Sequence, residues 1–151
     1  MINLAVIGLG AWGKNIVSRL ETMSGVKLGY VCATKEETLA RFNGDYQKFT
    51  DWKQILDKKD LSGVLIATPP STHSVIAIPF VEKGIPVFIE KPMTLNMHGA
   101  EEIKKAVKKS KSVFMVGFQY VFNDYVSYLK TEIEKGGLGK IIEIKSEHLL
   151  S

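Results

Sequence analysis

Short, wholly apolar runs alternate along this chain with longer stretches whose apolar residues recur at helical spacing. LAVIGL (residues 4–9) is too short for a helix and predicts a buried strand. A helix is predicted over residues 12–23, a second strand over 26–33 (VKLGYVCA) and a helix over 35–42. A short strand near 46–49 leads to Asp51, a suitable N-cap for the helical pattern of DWKQILDKK. GVLIAT (63–68) reads as the next buried strand, punctuated by PPSTH. Ser71 or Thr72 can cap the helix that runs from there towards Lys83, and Pro79 is expected to kink or shorten it. Residues 86–90 are strand-like, a helix follows over 95–109, and a strand over 112–118 closes the series. Continuous apolar strands alternating with amphipathic helices imply an α/β fold, a doubly wound parallel sheet covered on both faces. Ligands of such sheets lie beyond the carboxyl ends of the strands.

After Phe118 the rhythm changes. A helix over 124–135 ends at GGLG, and residues 140–150 then alternate, with Ile142, Ile144 and Ser146 against Glu143, Lys145 and Glu147. That is the period of a half-exposed strand. It has no partner in the chain's own pattern, and reads as the first strand of a second domain. The expected organisation is one domain over residues 1–120, then a linker helix and strand over 121–151.

Gly8, Gly10 and Gly13 form G-x-G-x-x-G between the first strand and the first helix. In that context Gly8 makes the tight turn, Gly10 lets a pyrophosphate approach the backbone, and Gly13 lets the helix pack on the strand. The amides of Ala11, Trp12 and Gly13 would point at phosphate, aided by the helix N-terminus. Trp12 reads as a packing residue that also shields this loop. The fold is therefore expected to be a dinucleotide-binding Rossmann fold. Such a loop usually has an acid about twenty residues further on, at the tip of the second strand, to bind the ribose 2′-hydroxyl. Here that tip is Ala33, followed by Thr34 and Lys35. A hydroxyl and a cation in place of an acid would accommodate a 2′-phosphate, favouring NADP over NAD. Two other readings stay open: Lys35 merely opens a surface helix, or Glu36 or Glu37 turns back to the ribose.

Composition narrows the setting. The chain has 151 residues, 45% hydrophobic and 24% charged, ordinary for a globular domain. A single cysteine, Cys32, excludes an internal disulfide and makes a reducing, cytoplasmic compartment the expectation. It reads as a buried strand residue and not a nucleophile. No Cys/His cluster or HExxH arrangement supports a metal site. The N-terminal apolar run is too short for a signal peptide, and no membrane-spanning run occurs. The net charge of +4 owes much to EEIKKAVKKSKS (101–112). Its lysines lie opposite Ile103, Ala106 and Val107, as on a solvated helix face. Without interleaved aromatics it does not read as a nucleic-acid groove.

Four further motifs follow the glycine loop in order: ATPPSTH (67–73), EKP (90–92), VGFQYVF (116–122) and GGLGKI (136–141). Together they resemble the N-terminal half of the glucose-fructose oxidoreductase, inositol dehydrogenase and rhizopine-catabolism (Gfo/Idh/MocA) family over essentially the whole chain. The resemblance implies a nicotinamide-dependent oxidoreductase acting on a sugar, cyclitol or related small molecule, its Rossmann domain followed by a larger α/β domain. It implies that Thr68, Pro69, Pro70 and His73 line the cofactor. His73 taken alone could equally cap or face its helix. Glu90, Lys91 and Pro92 match the motif beside the nicotinamide, where the peptide before proline is often cis. Lys91 matches the lysine that contacts the reacting hydroxyl or carbonyl; an ammonium there stabilises a developing alkoxide, and burial beside the nicotinamide can lower its pKa. Gln119 stands where the family commonly has Asn near the nicotinamide. Ala33-Thr34-Lys35 resembles the Ala-Ser-Arg of NADP-using members.

Two departures stand out. The family's Arg and Pro after the Gly-Phe-Asn-like step are replaced by Tyr120, Val121, Phe122, Asn123 and Asp124. The Asp and His that the family uses for proton transfer belong to the following domain, so His73, His98 and His148 cannot be given that role. The expected function is the cofactor-binding half of an NADP-preferring oxidoreductase, with a stand-alone, non-catalytic nucleotide-binding module as the alternative. The terminal strand offers an edge for homodimerisation. No membrane or nucleic-acid partner is expected.

Overall fold

The computed structural model describes residues 1–147. The chain divides into two compact units, Met1–Gly117 and a second beginning at Phe118. The first holds six strands, β1 (Ile2–Ile7), β2 (Val26–Cys32), β3 (Gln47–Phe49), β4 (Gly63–Ile66), β5 (Val87–Ile89) and β6 (Phe114–Val116). Between them lie α1 (Ala11–Leu20), α2 (Glu36–Leu39), α3 (Lys53–Leu56), α4 (His73–Glu82) and α5 (Met97–Ser110). The sheet order is β3-β2-β1-β4-β5-β6, every pair parallel. The chain winds outward from β1 to β3, then returns to the middle and winds the other way. The switch point falls between β1 and β4, where the carboxyl ends of strands leave a crevice.

Alternation along β1 builds a core on each face. Ala5 and Ile7 join one cluster with Ile66, Ile76, Phe80 and Ile89. Val6 joins the other with Val17, Leu20, Val31 and Leu39. Phe80, Ile7, Ile66 and Ile89 are essentially inaccessible, each burial stabilising by about 1.5–3 kcal/mol. In β2 the alternation is interrupted: Leu28 serves the second core and Tyr30 the first, although they are two residues apart. The register explains this, because Leu4 pairs with Leu28 and Ala5 with Tyr30, leaving Gly29 as the extra residue of a bulge. Side chains on either side of it are thereby sent to opposite faces.

The bulge borders a polar network at the amino end of the sheet. Asn3 Nδ2 donates to Asp60 Oδ2 at 2.8 Å, and the buried Tyr30 hydroxyl donates to Asp60 Oδ1. A Cβ on Gly29 would sit 2.2 Å from Asn3 Oδ1, so the bulge needs glycine to make room. Burial, then the Asp60 hydrogen bond and charge, raise the Tyr30 pKa. The same bond from Tyr30 is the main cause holding the Asp60 carboxyl below its ordinary value of 3.8.

Of the two effects expected of Pro79, shortening does not occur: α4 passes through it to Glu82. Val75, four residues earlier, is exposed, so the carbonyl that loses its donor lies on the solvent side. Neither Ser71 nor Thr72 caps α4 by its side chain; a 3₁₀ turn, Pro70–Thr72, leads in, and the Thr72 hydroxyl lies 2.8 Å from both Thr68 Oγ1 and the Pro69 carbonyl. The helix expected over 35–42 keeps α-geometry only in α2, then tightens into 3₁₀-type bonds from Arg41 N–H to Thr38 and from Phe42 N–H to Leu39.

The second unit contains a 3₁₀ turn, Gln119–Phe122, and α6 (Asp124–Glu134). Asn123 caps α6, accepting from the amides of Tyr125 and Val126 at 3.0 and 3.2 Å. The terminal strand expected over 140–150 does not form in residues 140–147, and residues 148–150 lie outside the described part. Alternation alone does not make a strand: no segment among the described residues pairs with it, and Ile142 and Ile144 are exposed.

Candidate dinucleotide site

β1 ends in a turn made close by glycine. Gly8 has φ +94°, and its amide donates to the Cys32 carbonyl at 2.9 Å. A Cβ on Gly8 would lie 2.6 Å from the Ala67 carbonyl carbon, so this glycine lets β1 and β4 end side by side. A Cβ on Gly13 would fall 1.8 Å from the Gly8 carbonyl oxygen, which locks α1 onto the turn. Gly10 differs from both, since nothing lies within 4 Å of its missing Cβ. The space above it is an open cradle.

α1 begins at that cradle without a side-chain cap. Its first internal bond runs from Lys14 N–H to the Gly10 carbonyl at 2.9 Å. The N–H groups of the preceding turn, on Ala11, Trp12 and Gly13, therefore lack intrahelical acceptors. Uncapped donors, a helix dipole and an open backbone approach together fit a pyrophosphate. A groove of about 480 Å³ beside the loop shares Gly10 and Ala11 and is lined by Lys14 and Arg41 as well. The motif reading missed these two cations; their only signal was position, one residue after Gly13 and six after Lys35.

At the end of β2, Ala33 is buried and its amide donates to the Phe49 carbonyl at 3.1 Å. Thr34 and Lys35 follow at the surface, and Glu36 and Glu37 open α2. The strand tip thus presents a hydroxyl and an ammonium before any carboxylate. Cys32, just behind, has its thiol pKa pushed up to about 11, first by burial and then by Asp51. It is an inert core residue.

Across the switch point stand the loops after β4 and β5. Thr68 and Pro70 are half-buried and Pro69 is exposed. The Glu90 amide makes the last ladder bond, to the Ile66 carbonyl at 2.9 Å, and a Glu90 carboxylate oxygen accepts from the Lys91 amide at 3.2 Å. The Lys91–Pro92 peptide is cis. Lys91 is exposed, and its Nζ lies 5.9 Å from the centroid of the Trp12 ring. The structure thus joins EKP to the glycine loop, two motifs about eighty residues apart in a crevice formed as such folds form it. Trp12 is half-exposed and serves as the platform under the ammonium.

His73 is not on the crevice wall. It is wholly buried, with Nε2 2.8 Å from the Thr68 carbonyl and Nδ1 3.1 Å from those of Pro92 and Met93. Both ring nitrogens thus face backbone carbonyls of the loops after β4 and β5. Gln119 belongs to the second unit, in its 3₁₀ turn. Among the described residues no group of three or more His, Cys, Asp or Glu side chains could hold a metal ion, and no helix is long and apolar enough to cross a membrane.

These features define a dinucleotide-binding α/β domain. Comparison with known proteins makes the assignment specific: the chain belongs to the Gfo/Idh/MocA oxidoreductase family, whose NAD-binding Rossmann-fold model matches residues 2–118. Scyllo-inositol 2-dehydrogenase (NAD(+)) of Bacillus subtilis is 31% identical over 148 residues, covering 95% of this chain and 43% of that protein. Levoglucosan dehydrogenase of Pseudarthrobacter phenanthrenivorans is 34% identical over 110 residues, covering 73% of this chain and 28% of its own length. The crystal structure of myo-inositol 2-dehydrogenase from Lactobacillus plantarum superposes with a TM-score of 0.85 at 28% identity, over 93% of this chain and 43% of that one. The chain thus spans less than half the length of these relatives.

Proposed function

We propose that this chain is the cofactor-holding half of an oxidoreductase that acts on a hydroxyl or carbonyl of a sugar, cyclitol or related small molecule. The observation that carries the reading is the uncapped N-terminus of α1 over the open Gly10 cradle, with Lys91 facing it across the switch point. The amides of Ala11, Trp12 and Gly13 hold the pyrophosphate. Thr68, Pro69 and Pro70 border the same crevice, and Glu90 buttresses the loop that carries Lys91. When bound, the nicotinamide supplies or accepts the hydride. Lys91 donates a hydrogen bond to the substrate oxygen and stabilises the negative charge that develops on it. The proton-transfer residues would come from a second domain, where Gln119 and its 3₁₀ turn lead. No observation favours a non-catalytic nucleotide-binding module.

We further propose that NADP is preferred. The Bacillus subtilis relative is named for NAD(+), which weighs the other way. The local chemistry supports NADP: an acid at the strand tip would repel a 2′-phosphate, and this tip carries Thr34 and Lys35 instead. One charge-assisted hydrogen bond of about 1.5–3 kcal/mol corresponds to roughly ten- to a hundredfold in affinity. Calorimetric titration with both nucleotides at one salt concentration tests this. Tighter NADP binding that is lost in Lys35→Ala supports it; equal or preferential NAD binding removes it. A cytoplasmic setting and self-association through the segment after α6 are lesser proposals, the latter tested by sedimentation over a range of concentrations.

A further inference from the structure

Beyond the last ladder bond of the sheet, the loops after β4 and β5 have no backbone–backbone hydrogen bond between them among the described residues. The side-chain hydrogen bonds that link them among the described residues come from one residue. His73, the first residue of α4, reaches back to the Thr68 carbonyl with Nε2 and across to the Pro92 and Met93 carbonyls with Nδ1. All these partners are carbonyl acceptors, so a ring nitrogen holds its loop only where it carries a hydrogen to donate. A ring with one N–H ties one loop, and a ring with two ties both. The site is fully buried, so water does not compete for these contacts.

The residue next to this clasp is Lys91. Its ammonium lies over Trp12 although its side chain is exposed and forms no ion pair among the described residues. The Glu90 carboxylate holds only its amide, from one side. Placement of the lysine therefore depends on the backbone that carries it. We propose that His73, with a hydrogen on each ring nitrogen, is the positioning residue of the Lys91 loop: it pins Pro92 and Met93 to the Thr68 loop and so fixes where the Lys91 ammonium stands over the crevice. Its role rests on the reading of Lys91 as the group that meets substrate. It differs from cofactor contact, because the ring is sealed from the crevice.

The test uses the whole chain without cofactor. Backbone ¹⁵N relaxation is measured on wild type, His73→Gln, which keeps a donor near the Nε2 position, and His73→Asn, which keeps one near Nδ1. In wild type the Lys91 amide has the order parameter of rigid backbone, about 0.85, and in each variant it falls below about 0.6, while α4 beyond its first turn stays rigid. Both variants untie one loop, so both loosen Lys91; if one fails to fold, the other reads the result. A Lys91 amide as ordered in the folded variants as in wild type overturns the proposal, as does a mobile Lys91 in wild type. A parallel NADPH titration separates the two readings. Failure of wild type to bind would remove the dinucleotide site and leave the clasp standing on the relaxation data; binding at least fivefold weaker in the variants supports the clasp.

Discussion

The two ends of the sheet treat their polar groups in opposite ways. At the amino end, Asn3 and Tyr30 both donate to the Asp60 carboxylate beside the Gly29 bulge. At the carboxyl end, the first turn of α1 has no cap, Gly10 faces open space, and Lys91 is exposed over Trp12. Crowding calls for glycine at both ends. Gly29 and Gly13 are there because protein atoms crowd the place a Cβ would take; Gly10 is not crowded at all. Donors left open beside vacant space mark a binding site, whereas satisfied donors mark a joint in the scaffold.

That contrast can be broken by substitution. The largest effect is expected from Gly13→Ala. The clash is with backbone, so the loop must deform, at a cost above about 3 kcal/mol read by urea denaturation, with loss of nucleotide binding. Gly29→Ala meets a side chain that can move, and should cost about 1–3 kcal/mol without changing nucleotide affinity in the folded fraction. A Gly29→Ala protein that folds normally but fails to bind nucleotide would erase the distinction between the ends.

Smaller effects sharpen it. The Asp60 carboxyl is held below its ordinary 3.8 chiefly by Tyr30, so its contribution to stability is present above that pH and is lost as pH falls through the lowered value. Tyr30→Phe removes the main cause. The stability gap between wild type and this variant should therefore narrow on acidification below about pH 4, as urea midpoints would report. A constant gap would mean that Asp60 titrates alike in both states. The smallest expected signal is a null one: Cys32, buried and with its thiol raised to about 11, should not react with a thiol reagent at pH 8 until urea unfolds the chain.

What the sequence disclosed follows the same division. The doubly wound sheet was legible because buried parallel strands are continuous apolar runs, and LAVIGL, GVLIAT and VKLGYVCA are such runs. The glycine loop was legible because backbone geometry, and not context, demands its residues. Where context decides, the reading fell short. Nothing in VKLGYVCA marks Gly29 as a bulge, since that depends on Asn3 reaching it from another strand. The continuation of α4 through Pro79 depends on which face of the helix is wet. Residues 140–147 have the period of a strand and no neighbour to pair with among the described residues. Which way the His73 ring turns was not legible, because a motif specifies a residue type and not its orientation. The approach of Lys91 to Trp12 is a consequence of strand order that no local pattern holds.

The central claim is that the open end binds a dinucleotide through the uncapped turn above Gly10. Gly10→Ala tests it most directly: φ at this position is −73°, and the added methyl meets no protein atom. Stability by urea denaturation and NADPH affinity by calorimetry are measured on the same preparations of wild type and variant. The account predicts a stability change within about 1 kcal/mol and an affinity loss of at least about tenfold, or 1.4 kcal/mol. Equal affinity in the two proteins would contradict it, because a phosphate seated on that backbone cannot share the space with a methyl group.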